Sequence, residues 1–220
     1  MQKFPEINNN KLFTKAFTHR SYLNEAKEAM ESNERMEFLG DSILSFIISE
    51  YLFNTYPNFN EGILTNLRSL VVNTKSLALE AHRLDFGEYL LLSKGEEESK
   101  GRKNDSILAN TFEAYIGALY IDQGIPAVKK FLENTLIPHI KKYVEKKVFK
   151  DPKSLLQENV QAKKQNSPSY QVLNEEGPAH AKVFTVGVFI ENQQLGIGTG
   201  HTKQEAEEHA AEQALEKIEK

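Results

Sequence analysis

Glu34, Glu37 and Asp41 stand at offsets of three and four in the stretch NERMEFLGDSIL, which otherwise carries Met36, Phe38, Leu39, Ile43 and Leu44. On a helix that spacing puts all three acids on one face, in line with Leu44 and Ile48. A second stretch, SILANTFEAYIGALY, sets Asn110 and Glu113 three apart, and Gly117 continues their row. Both stretches carry a mid-helix glycine on or beside the polar stripe, Gly40 and Gly117. Glycine there costs about 1 kcal/mol against alanine, which suggests that something packs very close. Two helices could then face each other with oxygen ligands and small residues between. Glu61, in the turn after the first helix, could add one more carboxylate.

Clustered carboxylates repel one another, and burying them unpaired is expensive. A hard divalent cation removes both problems, and oxygen-only ligation points to Mg²⁺ or Mn²⁺ over zinc or copper. A di-iron bundle wants Glu-x-x-His on its helices. Here the residue three after Glu34 is Glu37 and three after Asn110 is Glu113, so iron is disfavoured. The competing reading is that the three acids are merely solvated where the helix leaves the core. The first stretch alone leaves both open.

The elements that must position these residues divide into two parts. With 220 residues, 40% of them hydrophobic, the chain suits one large domain or two small ones with a real core. Ser32–Thr55 and Gly62–Leu84 show helical apolar periods. Lys94–Asp105 has turn residues and charge without a period and reads as a loop. Helices are expected from Ser106 to about Asp122, capped by Asp105, and from Pro126 to about Val148. After Asp151-Pro152, a helix-start signal, the pattern becomes helix (Lys153–Gln165), strands Tyr170–Asn174 and Lys182–Glu191, and a third strand marked by Gly196, Gly198 and Gly200. A last helix, Lys203–Ile218, has Ala206, Ala210 and Ala214 on one stripe. The expected domains are an all-α unit, residues 1–148, and a small α+β unit of order α-β-β-β-α, residues 151–220.

Zero cysteines exclude disulfides and thiolate zinc sites, and no apolar run reaches the ~20 residues of a membrane span. The N-terminus lacks the apolar core of a signal peptide, so a cytoplasmic home is expected. Residues 1–150 balance 20 Lys+Arg against 20 Asp+Glu, and the net charge of −4 belongs to the rest. A polyanion would have to be met by local patches or by bound cations.

NERMEFLGDSIL resembles the signature of the ribonuclease III family, and SILANTFEAYIGALYID resembles its second acidic motif. The stretches SLLQENVQ, YQVLNEEGPAHAKVFTV and GHTKQEAEEHAAEQAL resemble a double-stranded-RNA-binding domain. The resemblance implies an all-α endonuclease domain followed by an α+β double-stranded-RNA-binding domain. It further implies a homodimeric endoribonuclease using two Mg²⁺ ions (Mn²⁺ substituting), with no organic cofactor and no membrane partner. Its products would have 5′-phosphate and 3′-hydroxyl ends, in the processing of rRNA precursors and structured transcripts. By position, Glu37, Asp41, Asn110 and Glu113 correspond to the metal-binding cluster, with Asp41 and Glu113 catalytic. Glu34 and Glu61 correspond to auxiliary acids facing the RNA, and Phe38 to a dimer contact. In the C-terminal domain, Gln157 and Glu158 correspond to minor-groove contacts, Gly177, Pro178 and His180 to the loop of the second minor groove, and Thr202, Lys203 and Gln204 to the phosphate-binding helix start.

Two departures stand out. Asn110 occupies a place where the family pattern usually has aspartate, which raises the alternative of a catalytically weakened RNA-binding scaffold. The last helix begins with Lys203 alone where two or three lysines are common; Lys163, Lys164 and Lys182 are candidates to compensate. Gly95, Gly101 and Arg102 are further candidates for RNA-backbone contact. His19, His82, His139 and His209 receive no role.

Overall fold

The computed structural model describes residues 3–147, 152–163, 165–178, 181–191 and 193–218. The chain divides into two compact units, Met1–Phe149 and Lys150–Lys220. In the first, α1 (Asn10–Ala16), α2 (Glu34–Thr55), α3 (Glu61–Val71), α4 (Thr74–Arg83), α5 (Lys94–Glu98), α6 (Asp105–Glu133) and α7 (Ile137–Glu145) enclose one apolar core. Its centre is aromatic: Phe86 and Tyr115 meet edge-on at 5.2 Å, with Phe4 and Phe17 against them. Pro5 closes the lid, its carbonyl accepting from the buried Tyr115 hydroxyl at 2.7 Å. Leu44, Ile48 and Leu52 of α2 face Phe112, Ile116 and Leu119 of α6 across this core, and all are buried.

Several boundaries differ from the sequence expectation, each through a cap or a strained turn. The Gly62–Leu84 period is two helices, because the Asn73 side chain accepts from Ser76 N–H at 2.9 Å and starts a new one. Helix α6 is capped by Asn104, whose Oδ1 accepts from Ser106 and Ile107 N–H, and Asp105 is its first helical residue. Gly124, at φ 76° and ψ −177°, interrupts α6, and Pro126 restarts it. Lys94–Asp105 is no plain loop: Ser93 caps α5 through Glu96 N–H, and a 3-10 turn covers Gly101–Lys103. Helix α1 and the 3-10 turn Arg20–Asn24 were not anticipated. The helix expected from Pro126 to about Val148 is two pieces, the end of α6 to Glu133 and α7, which ends at Glu145; Val148 lies outside the described residues, as does the expected cap Asp151.

The second unit contains α8 (Pro152–Ala162), a three-stranded antiparallel sheet in the order β1 (Ser169–Glu176), β2 (Val183–Ile190), β3 (Gln193–Gly200), and α9 (Lys203–Ile218). Val186 pairs with Gly198 and Val188 with Gly196. The glycines let the sheet rest directly on the alanine stripe of α9: a Cβ on Gly198 would lie 2.2 Å from Ala210 N. Val188, Ile190, Leu156, Val160, Ala210 and Ala214 form the core between sheet and helices. Helix α8 stops at Ala162, three residues before the expected end at Gln165.

Candidate functional site

Helices α2 and α6 cross in backbone contact. A Cβ built on Gly40 would lie 1.8 Å from the Glu113 carbonyl oxygen, and one on Gly117 would lie 2.3 Å from the Met36 carbonyl oxygen. Any larger residue at either place would separate the helices. The crossing brings Glu37 and Asp41 of α2 beside Glu113 of α6, because each sits within one turn of the contact.

The electrostatics report that proximity. Burial, then the charges of Asp41 and Glu37, push the Glu113 carboxyl up to about 7. Burial, then Glu34 and Asp41, also raise Glu37. The Glu37 and Glu113 carboxyls are therefore both held toward the neutral form by burial and by the neighbouring acids. Among the described residues no three carboxylate or imidazole groups stand close enough to enclose an ion as they are. Glu37, Asp41 and Glu113 share an electrostatic neighbourhood, short of a closed cage. Its chemistry suits a hard divalent ion, which would supply the positive charge that burial and mutual repulsion demand.

Beside the cluster lies a cleft of about 430 Å³ lined by His19, Arg20, Asn33, Glu34, Glu37, Ser106, Ile107 and Asn110. Asn110 is exposed on the α6 wall. Glu34, the first residue of α2, accepts from the Ser32 hydroxyl at 2.8 Å and lies 3.8 Å from the Arg20 guanidinium. Glu61 does not join them. It heads α3, accepts from the Thr65 hydroxyl at 3.0 Å, and lines a separate groove with Phe53, Phe59, Leu64 and Arg68. Phe38 projects outward at 77% exposure, followed along α2 by the exposed Phe46 and Phe53. Arg102 is consumed internally, donating to the Gly87 and Leu90 carbonyls at 2.8 Å and pairing with Glu97, and Gly101 is buried.

In the second unit Gln157 and Glu158 lie on the exposed side of α8. Gly177 has φ 91°, with Ala181 so near that a Cβ would lie 2.7 Å from its carbonyl oxygen, and exposed Pro178 follows. His180 and Lys164 lie outside the described residues. Thr202 accepts from Glu205 N–H at 3.1 Å while Glu205 accepts from His201 N–H at 2.7 Å, a reciprocal cap on α9. Lys203 and Gln204 are exposed at that start. Lys203 lies 3.6 Å from Glu175, which also pairs with Lys182, and both lysines sit over the Phe184 ring. Gln204 donates to Glu208 at 2.8 Å. The missed signal is His19-Arg20: nothing in their spacing relates them to residues 34–41, and only the fold makes them one wall of the cleft.

A ribonuclease-III-like family profile matches residues 9–140, and a double-stranded RNA binding motif matches residues 152–218. The chain belongs to the ribonuclease III family. Ribonuclease 3 of Geobacillus kaustophilus is 49% identical over 211 residues, 96% of this chain and 85% of that protein. Ribonuclease 3 of Bacillus licheniformis is 48% identical over 216 residues, 98% and 86% of the two chains. Among solved structures, the nuclease domain of ribonuclease III from Campylobacter jejuni, described for flexibility in a region involved in its dimer formation, superposes with a TM-score of 0.54 at 37% identity. It covers 59% of this chain and 87% of that one. A Dicer structure from Pichia stipitis gives a TM-score of 0.51 at 27% identity, over 97% of this chain and 96% of that one. Membership in the ribonuclease III family and the helical-then-α+β architecture agree with the reading of the sequence. No described helix is long and apolar enough to cross a membrane.

Proposed function

We propose that this chain is a Mg²⁺-dependent endoribonuclease that cuts double-stranded RNA, with 5′-phosphate and 3′-hydroxyl products. The observation that carries the reading is the glycine-tight crossing that sets Glu113 of α6 against Asp41 and Glu37 of α2. Glu37, Asp41 and Glu113 would hold the metal, with Asn110 as a neutral oxygen ligand from α6. Bound divalent ions supply an activated water and neutralise charge on the scissile phosphate. The chain's own residues do the rest. The α2–α6 contact fixes the carboxylates relative to one another, and Glu34 lies at the RNA-facing rim. In the second unit Gln157, Glu158, the Gly177-Pro178 turn and Lys203 would grip A-form RNA by shape and phosphate contact. His180, three residues after Gly177 in the sequence, is proposed as a 2′-hydroxyl contact. The domains so assigned are 1–148 and 151–220.

We further propose a homodimer, because Phe38, Phe46 and Phe53 leave an apolar stripe along α2 beside the groove of Phe59, Leu64 and Glu61. Glu61 would then act across the dimer; a Phe38→Ser chain sedimenting at the wild-type dimer mass would remove this assignment. A cytoplasmic setting and processing of rRNA and structured transcripts complete the reading.

The deciding experiment incubates a labelled duplex with the protein, with and without Mg²⁺. An endonuclease shortens the duplex only when Mg²⁺ is present and leaves 5′-phosphate ends. The alternative, a scaffold weakened at Asn110, shifts the duplex on a gel and never shortens it.

A further inference from the structure

One wall of the acidic cleft is basic and held by an unusual brace. His19 precedes the 3-10 turn Arg20–Asn24, and its backbone N–H donates to the Leu91 carbonyl at 3.1 Å. Thr18 accepts from Asn33 N–H at 2.9 Å, tying this segment to the start of α2. The imidazole is oriented as firmly as its backbone. Ser21 N–H donates to His19 Nδ1 at 3.3 Å, and the Ser21 hydroxyl oxygen lies 2.8 Å from the same nitrogen. Ser93 N–H donates to that hydroxyl oxygen at 3.1 Å, which leaves the hydroxyl hydrogen for Nδ1.

A backbone N–H can only donate, so Nδ1 is an acceptor and the ring hydrogen of the neutral form sits on Nε2. Burial, the largest influence, holds the ring pKa below its ordinary value. The nearby Arg20 acts in the same sense, while Glu96 and Glu34 pull against it. Nε2 has no protein hydrogen-bond partner among the described residues, and the ring lines the cleft. Arg20 beside it is 73% exposed and only 3.8 Å from Glu34, a loose pairing that leaves the guanidinium able to reach outward. The wall thus presents the Nε2–H of His19 and a loosely held cation, both of them donors. A phosphodiester oxygen, which only accepts and carries the charge that a guanidinium pairs with, matches such a wall.

We propose that His19 is an RNA-contact residue whose Nε2–H donates to a nonbridging phosphate oxygen of the strand lying in the cleft, with Arg20 beside it. The contact registers the backbone against Glu37, Asp41 and Glu113. It rests on the nuclease reading above and adds a residue that positions the substrate.

The test compares wild type, His19→Ala, His19→Gln and His19→Leu in steady-state cleavage of a short duplex at saturating Mg²⁺, with melting temperatures and duplex affinities measured alongside. His19→Ala is expected to lose about tenfold in kcat/KM, mainly through KM. His19→Gln, whose amide offers an N–H at similar reach, recovers most of that loss. Equal activity of His19→Ala and wild type, equal impairment of His19→Ala and His19→Gln, or an equal recovery in His19→Leu, which fills the space without a donor, overturns the contact. A methylphosphonate scan of one strand should find a position where the wild type loses activity and His19→Ala loses no more; a 2′-deoxy scan giving that pattern instead overturns the phosphate assignment. If wild type binds duplex and never cuts it, the nuclease reading falls by itself. Duplex affinity then decides: weakening in His19→Ala with recovery in His19→Gln supports the contact, and equal affinities overturn it.

Discussion

Gly40 meets the backbone of Glu113 so closely that a Cβ on it would lie 1.8 Å from the Glu113 carbonyl oxygen. Helix propensity alone says Gly40→Ala should stabilise α2 by about 1 kcal/mol. Steric conflict with a backbone carbonyl, which cannot rotate away, outweighs that gain. Gly40→Ala is expected to destabilise the nuclease unit by about 3 kcal/mol or more in urea unfolding. A variant as stable as wild type would mean that the helices do not cross this tightly.

Glu113 makes stability depend on pH. Its carboxyl is pushed up to about 7 from an ordinary 4.5, so the fold favours the neutral form. That contribution is fully present below the ordinary value and is lost as pH rises through about 7. In the absence of divalent ions, Glu113→Gln should therefore gain melting temperature relative to wild type as pH rises from about 5 to about 8. Added Mg²⁺ should act the other way, raising the wild-type melting temperature more at the upper pH, where it no longer competes with a proton. A difference between the two proteins that stays constant with pH would contradict the shared neighbourhood of Glu113, Asp41 and Glu37.

Asn110 is exposed on the cleft wall and carries no charge. Replacing it by aspartate adds a negative ligand oxygen next to Glu113. Asn110→Asp is expected to lower the Mg²⁺ concentration needed for half-maximal cleavage. An unchanged requirement would show that this side chain is not a ligand.

Glu175 occupies two lysines at one edge of the second unit. It pairs with Lys182 and lies 3.6 Å from Lys203, and the Lys182 hydrogen bond holds its carboxyl below the ordinary range. Removing its charge should free both lysines for phosphate. Glu175→Gln is expected to bind duplex RNA more tightly and with a steeper dependence on salt. Fluorescence anisotropy across a salt series measures both, and an unaltered slope would mean that these lysines do not meet the backbone.

The sequence exposed the site better than the scaffold around it. Period and glycine placement made α2 and α6 readable, since Gly40 and Gly117 are explicable only by close approach. The third strand marked by Gly196, Gly198 and Gly200 and the alanine stripe did the same for the sheet and α9. Boundaries set by single side chains were missed: Asn73 divides one apparent helix, and Asn104 caps α6 in place of Asp105, because asparagine and aspartate signal a cap equally well from sequence. The short helix α5 was hidden by its charge, since Ser93 and two first-turn glutamates build it without any apolar period. Glu61, expected as an auxiliary acid facing the RNA, heads α3 and lines a groove apart from Glu37, Asp41 and Glu113, a placement that helix spacing cannot reveal. His19 carried no local signal of a place in the cleft, because the fold brings it beside α2 and α6 and Ser93, far along the chain, fixes the Ser21 hydroxyl that holds its ring.

The account stands on Glu37, Asp41 and Glu113 gathering a divalent ion at the α2–α6 crossing. Crystals of the full chain soaked in Mn²⁺ and measured at the manganese edge test this directly. The prediction is an anomalous peak about 2.0–2.3 Å from carboxylate oxygens of all three residues. A fully occupied manganese site elsewhere, with none between these three side chains, would contradict it.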